Sequence, residues 1–117
     1  MTTRLYGIPN CDTVKKARAW LTDRQYDFHF HDFKKAGLDR PTIESWLTRV
    51  EWDVLINRKG TTWRGLDEAR KASIIDVNSA IMLMLENPSI IKRPVLVTAT
   101  QTIVGFTDDT YQQIFKK

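Results

Sequence analysis

The stretch Leu5–Ala17 constrains the fold more than any other. A short apolar run breaks at Gly7-Ile8-Pro9-Asn10, a turn signal, and Cys11 follows. Val14, Ala17, Trp20 and Leu21 then recur at the three- and four-residue spacing of a helix. Pro9 and Asn10 do not extend that helix backwards, so it begins near Asp12 or Thr13. Cys11 therefore stands where a strand meets the first turn of a helix. The unpaired N–H groups and the dipole there, worth about half a positive charge, favour an anion. A thiolate is such an anion, and helix N-termini with nearby cations lower cysteine pKa values. Lys15 and Lys16 lie one turn on. The competing reading is a small buried apolar residue, as free cysteines often are.

The chain has only one cysteine, which excludes an internal disulfide and a cysteine-rich metal cage. Any disulfide partner of Cys11 must come from outside: glutathione, another protein, or a second copy of this chain. A length of 117 residues with 42% hydrophobic content suits one domain with a real core. No stretch approaches the roughly 20 apolar residues of a membrane span, and no charged-then-apolar leader precedes the first strand, so a cytoplasmic protein is expected. The net charge of +4 suits small anions or acidic partners. The lysines and arginines are spread along the chain rather than gathered in the basic stripe of a nucleic-acid binder.

Arg4–Ile8 reads as a strand and Asp12–Arg24 as a helix. Tyr26, Phe28 and Phe30 alternate with Asp27, His29 and His31, the period of a second strand. Together these make a βαβ unit with parallel strands. A His-x-His pair such as His29 and His31 can bind zinc, but zinc needs three or four ligands and no second cluster exists, so no metal is expected. Residues 33–39 read as a loop around Gly37. A helix follows from Asp39 and Pro41, with Ile43, Trp46, Leu47 and Val50 on one face. A short helical piece at Trp52, Val54 and Leu55 leads to a basic loop over residues 57–62. Another short helix is expected at Trp63, Leu66 and Ala69. Asp76 caps a longer helix through Glu86, with Val77, Ala80, Ile81, Met84 and Leu85 on one face. Met82 and Met84 read as core filling rather than soft metal ligands. Pro94 stands at the entrance of a buried strand over residues 95–98, where a missing N–H is tolerated. A fourth strand over residues 102–105 pairs antiparallel with it. A last helix, capped by Thr107 or Asp108, turns Tyr111, Ile114 and Phe115 inward.

The order is thus β-α-β, a helical block, then β-β-α. The two ends build a four-stranded mixed sheet with covering helices. The middle does not thread through that sheet, so it forms a lobe at one side.

A βαβ–ββα order with a cysteine opening the first helix and a proline opening the third strand resembles the thioredoxin fold. The intervening helical block is similar to that of the arsenate reductase–Spx–YffB (ArsC) family. The resemblance rests on Tyr6–Ala17, on His31-Asp32-Phe33-Lys34-Lys35, on Leu55-Ile56-Asn57-Arg58 and on Ile91-Lys92-Arg93-Pro94-Val95. Within the family it leans to the YffB branch. It implies one ArsC-like domain over residues 1–117, with a thioredoxin-like α/β core at about 1–36 and 91–117 and a helical insertion at about 39–90.

By resemblance Cys11 is the redox nucleophile, and a cis peptide bond precedes Pro94. Arg93 matches an arginine that helps hold the oxyanion in arsenate reductases, and Arg58 approximately matches a second. The alternative for Arg58 is a solvated loop cation. Guanidinium groups suit such a role because they stay charged and present forked donors. Asn10, Lys15 and Pro94 complete the candidate substrate- and anion-binding set.

The departures narrow the reading. Arsenate reductases carry a third arginine where this chain has Phe106, which weakens the case for a trianionic substrate. Spx-type regulators carry Cys-x-x-Cys, against Cys11-Asp12-Thr13-Val14 here. Phosphatase-like arsenate reductases need an arginine where Ala17 stands. The leading expectation is a thiol-disulfide reductase with glutathione as co-substrate and no bound cofactor. Glutaredoxin or protein disulfides are further partners. A glutathione- and glutaredoxin-coupled arsenate reductase is the second reading. A non-catalytic, Spx-like regulator contacting RNA polymerase through the tryptophans of the helical lobe is the third.

Overall fold

The computed structural model describes residues 3–115; residues 1–2 and 116–117 lie outside the described residues. Within that span the chain separates into two units, one built from residues 3–37 and 93–115, the other from Leu38–Lys92.

In the first unit, β1 (Arg4–Gly7), β2 (His29–Asp32), β3 (Val95–Val97) and β4 (Thr102–Val104) form one sheet in the order β2-β1-β3-β4. β1 and β2 are parallel, while β1–β3 and β3–β4 are antiparallel. This is the mixed sheet expected of the thioredoxin-like order. Helix α1 (Asp12–Asp23) crosses between the two parallel strands, and a terminal helix (Asp108–Ile114) follows β4. The helical spacing read from the sequence buries Val14, Ala17, Trp20 and Leu21. Leu5, Ala17, Trp20, Leu21, Leu96 and Tyr111 make the core, with Phe28, Phe30, Ile103 and Phe106 packed around them. Each fully buried leucine contributes about 1.5–3 kcal/mol relative to exposure.

Two expectations for this unit change. The alternation at residues 26–31 predicts an earlier strand than the ladder contains, because only His29–Asp32 find register against Arg4–Gly7. Tyr26 instead closes the end of α1: its N–H donates to the Leu21 carbonyl at 3.0 Å, and its ring stacks on Phe115. The expected loop after β2 opens as a helical turn, α2 (Phe33–Ala36). Asp32 caps it by accepting from the N–H groups of Lys34 and Lys35, and Phe33 is buried. Gly37 then ends the turn at φ 78°, a conformation that only glycine adopts freely.

The second unit is helical: α3 (Arg40–Leu47), α4 (Trp52–Leu55), α5 (Thr61–Arg64), α6 (Glu68–Ala72), α7 (Val77–Glu86) and a 3-10 turn at Pro88–Ile90; the terminal helix of the first unit is accordingly α8. Asp39 caps α3 and Asp76 caps α7, the latter in a reciprocal capping box with Ser79. The single helix expected around Trp63–Ala69 is two, because Asp67 restarts the backbone by accepting from the Arg70 N–H. Ala69 is consequently exposed. Ala80, Ile81, Leu83 and Met84 turn inward from α7, against Ile43 and Trp46 of α3 and Leu55 of α4, all buried. Val77 was expected on that face but is 48% exposed. It stands in the first turn, on an open groove it lines with Leu47 and Ile81. Among the described residues no helix is long and apolar enough to cross a membrane.

Candidate functional site

Cys11 is the N-cap residue of α1, with extended backbone angles of φ −137° and ψ 123°. Its carbonyl accepts the first intrahelical bond, from Lys15 N–H at 2.9 Å. Its side chain makes no capping hydrogen bond. The thiol is free and only part-buried, so the reading of Cys11 as a core residue does not hold. Asn10 and Lys15 are exposed on either side of it in sequence.

The approach to this cysteine is set by a tight contact. A β-carbon at Gly7 would lie 2.8 Å from Val14 Cγ2. The missing side chain lets the end of β1 pass close under the first turn of α1. Sheet register then fixes what shares this end of the first unit. Tyr6 pairs with Val95, and Val95 with Val104. Arg93 and Pro94, just before β3, are therefore at the same sheet end as Gly7 and the turn into Cys11. Asp32 is there too, opposite Gly7. The Arg93–Pro94 peptide bond is cis, as the resemblance implied. Pro94 is buried and Arg93 half-buried. Gly105 N–H donates to the Pro94 carbonyl at 2.8 Å, with Gly105 itself at φ 84°.

Arg58 belongs to the helical unit. Its guanidinium carbon lies 5.8 Å from the centroid of the Trp52 ring and 5.5 Å from that of Trp63, both within cation–π range. The sequence offers the tryptophans of this lobe as a partner contact and gives no direct sign of the cation that Trp52 and Trp63 share. The missed signal is two part-buried aromatics flanking a basic loop. Gly105 was missed as well, having been read only as the last residue of a strand.

Two further residues singled out from the sequence have structural partners. His31 Nε2 donates to the Gly37 carbonyl at 2.7 Å, and its ring lies 5.0 Å from that of Tyr6. Among the described residues no group of three or more His, Cys, Asp or Glu could hold a metal ion. Phe106 packs edge-on against Tyr111, with centroids 4.7 Å apart. Phe106 is thus part of the aromatic packing around the core.

The first unit defines a class: a thioredoxin-like α/β protein whose one cysteine opens the first helix opposite a cis-proline loop. The ArsC family model matches residues 6–114, and the chain belongs to that family. A solved structure of a YffB protein is 48% identical, covering 96% of this chain and 97% of its own with a TM-score of 0.90. An arsenate reductase (ArsC) related protein from Brucella melitensis is also 48% identical, covering 100% and 97% with a TM-score of 0.77. The global transcriptional regulator Spx of Streptococcus pyogenes is 31% identical over 108 residues, spanning 90% of this chain and 78% of the regulator. The chain is thus arsenate reductase-like and Spx-like in family.

Proposed function

We propose that the protein is a glutathione-dependent thiol-disulfide reductase working through Cys11 alone. The observation that carries this reading is the position of the thiol: at the N-cap of α1, part-exposed, with its sulfur left out of the cap. A structural N-cap is normally Ser, Thr, Asp or Asn, whose oxygen binds an N–H of the first turn. A cysteine that leaves those donors unused keeps its sulfur available to react, among N–H groups that favour negative charge.

The chemistry needs no second cysteine in the chain. The Cys11 thiolate attacks the glutathione sulfur of a mixed disulfide, forming a Cys11–glutathione disulfide and expelling the substrate thiolate, which takes a proton from solvent. A second glutathione, as thiolate, attacks the glutathione sulfur of that intermediate. Oxidised glutathione leaves and the Cys11 thiolate is restored. The net reaction is mixed disulfide plus glutathione giving substrate thiol plus oxidised glutathione, with sulfurs and electrons balanced. Exchange of this kind depends on the attacking thiolate and on access to it.

Arg93 is the guanidinium group we assign to anionic groups of the substrates, as a forked donor suited to carboxylates. Asn10 and Lys15 add a polar group and a cation beside the cysteine. Backbone groups next to Pro94 would align the peptide part of glutathione. Phe106, packed on Tyr111, argues against a trianionic oxyanion such as arsenate as the main substrate.

The test is steady-state reduction of a cysteine–glutathione mixed disulfide, coupled to glutathione, with wild type and Cys11→Ser. The variant should lose turnover entirely. Full activity in Cys11→Ser sinks the proposal. Turnover of arsenate with glutathione and glutaredoxin at a rate above that of the mixed disulfide would replace it with arsenate reduction.

A further inference from the structure

We propose that the outward stripe of α1 leading away from Cys11 docks an acidic peptide segment, with Arg18 as its specificity-determining residue. The inference deepens the proposed function, since it rests on Cys11 as the reacting thiol. It names the substrate class: a glutathionylated protein whose modified cysteine has acidic neighbours. Every residue it uses lies in the first unit.

At about 100° of helical turn per residue, Lys15 and Arg18 fall within about 40° of the line of Cys11. With a rise of about 1.5 Å per residue, they stand about 6 Å and about 10.5 Å along the axis from it. Val14, Ala17, Trp20 and Leu21 bury the other side of the helix. Lys15 is exposed and Arg18 half-buried. The acidic residues of α1, Asp12 and Asp23, lie about 100° or more around from the stripe. Among the described residues no carboxylate pairs with Lys15 or Arg18.

Arg18 is also supported from below. Its guanidinium carbon lies 4.2 Å from the centroid of the Phe30 ring, on the edge strand β2. An exposed arginine normally loses rotamer freedom when a ligand fixes it. Here a ring face restricts the guanidinium beforehand and leaves its in-plane N–H donors for a carboxylate. In the exchange proposed above, Cys11 attacks the glutathione sulfur and the substrate thiolate leaves. The residues flanking that thiolate therefore pass over the surface next to Cys11. An extended chain advances about 3.3 Å per residue, so residues two and three away from the modified cysteine come abreast of Lys15 and Arg18. Aspartate or glutamate there matches the two cations. A nucleic acid fits less well, because two cations on one helix line are a short track for a phosphate backbone.

The test is calorimetric titration of the full-length chain with a short peptide. The peptide has serine in place of the modified cysteine and glutamate at the second and third positions on either side. Its counterpart carries glutamine at those positions. At low salt the glutamine peptide should bind wild type about tenfold more weakly, and high salt should erase most of that difference. Arg18→Gln should weaken the acidic peptide about fivefold. Lys16→Gln removes the same charge from the other edge of the helix and should change binding less than about twofold. Thermal melts confirm that each variant is folded, and the salt comparison uses wild type alone. With both peptides rebuilt around a glutathionylated cysteine, wild-type kcat/KM should favour the acidic one about tenfold, and Arg18→Gln should shrink that ratio.

The proposal is overturned if wild type binds neither peptide or both equally, or if Arg18→Gln and Lys16→Gln weaken binding alike. A single-stranded oligonucleotide binding more tightly than the acidic peptide would overturn it as well. The reductase reading fails separately, if wild type turns over neither glutathionylated peptide or Cys11→Ser turns over both. The serine peptides carry no thiol, so their titration is independent of that outcome.

Discussion

Gly105 N–H donates to the carbonyl oxygen of Pro94 at 2.8 Å, tying the exit of β4 to the residue that opens β3. The bond forms because Gly105 takes φ 84°, where a β-carbon is strained. Gly105→Ala should therefore cost about 1–2 kcal/mol of stability, read as a lowered midpoint in urea. The proposed glutathione-coupled turnover should fall as well, because the loop carrying Arg93 and Pro94 loses its tether. A variant with unchanged midpoint and unchanged turnover would show that the turn has no such role.

The closest fit between sequence and structure is at the two chain ends. Short apolar runs marked β1, β3 and β4, and helical spacing marked α1 and the last helix, because these elements bury their apolar residues in a single core. The cysteine's place was legible for the same reason: Pro9 and Asn10 stop a helix from running backwards, so Cys11 had to cap it. Position-specific exposure was harder to read. Val77 continues the apolar spacing of α7 yet lines an open groove, and nothing in its spacing distinguishes a first-turn residue from an inner one. Local capping also went unread: Asp32 starts a helical turn where Gly37 suggested only a loop. The pairing of Arg58 with two tryptophans depends on where α4 and α5 point their rings, which periodicity does not encode.

Gly7 should tolerate no side chain. The β-carbon of an alanine would meet Val14 Cγ2 at 2.8 Å, and Val14 is fully buried on a β-branched, stiff side chain. Gly7→Ala is expected to destabilise by about 1–3 kcal/mol, as overpacking does. Adding Val14→Ala removes the clashing methyls, so the double variant should be more stable than the sum of the single losses predicts. Strict additivity in a double-mutant cycle would show that the contact is not the cause.

Tyr111 sets a pH dependence. Its ring is fully buried in the core, its hydroxyl has no hydrogen-bond partner among the described residues, and burial pushes its pKa well above the usual tyrosine value. A group whose pKa is raised on folding contributes stability below the unfolded value and loses it as pH climbs past that value. Stability should thus decline above about pH 10, the ordinary tyrosine range. Tyr111→Phe keeps the ring, removes the unpaired hydroxyl and should flatten this alkaline loss. At neutral pH the variant should be more stable by about 1 kcal/mol, since a buried donor without a partner is a net cost. A less stable variant at pH 7 with an unchanged alkaline limb would contradict this account.

Cys11 occupies a position that another residue would fill better for folding alone. Asp32, Asp39, Asp67, Asp76 and Thr107 each cap their helices through a side-chain oxygen, whereas Cys11 makes no such bond at the start of the longest helix, α1. Serine at this site has an oxygen of the right reach to accept from an N–H of the first turn. Good N-caps are worth about 0.5–2 kcal/mol over residues that do not cap. Cys11→Ser should accordingly raise the thermal midpoint by the equivalent of about 0.5–1 kcal/mol while ending the proposed thiol exchange. Opposed changes in stability and turnover, from one atom exchanged, are what a residue kept for chemistry should show. Cys11→Ala separates the contributions. It should be as inactive as the serine variant but less stable than it, because alanine supplies neither the sulfur nor the cap. If serine and alanine melt together, the cap is not formed and the stability cost assigned to Cys11 is absent.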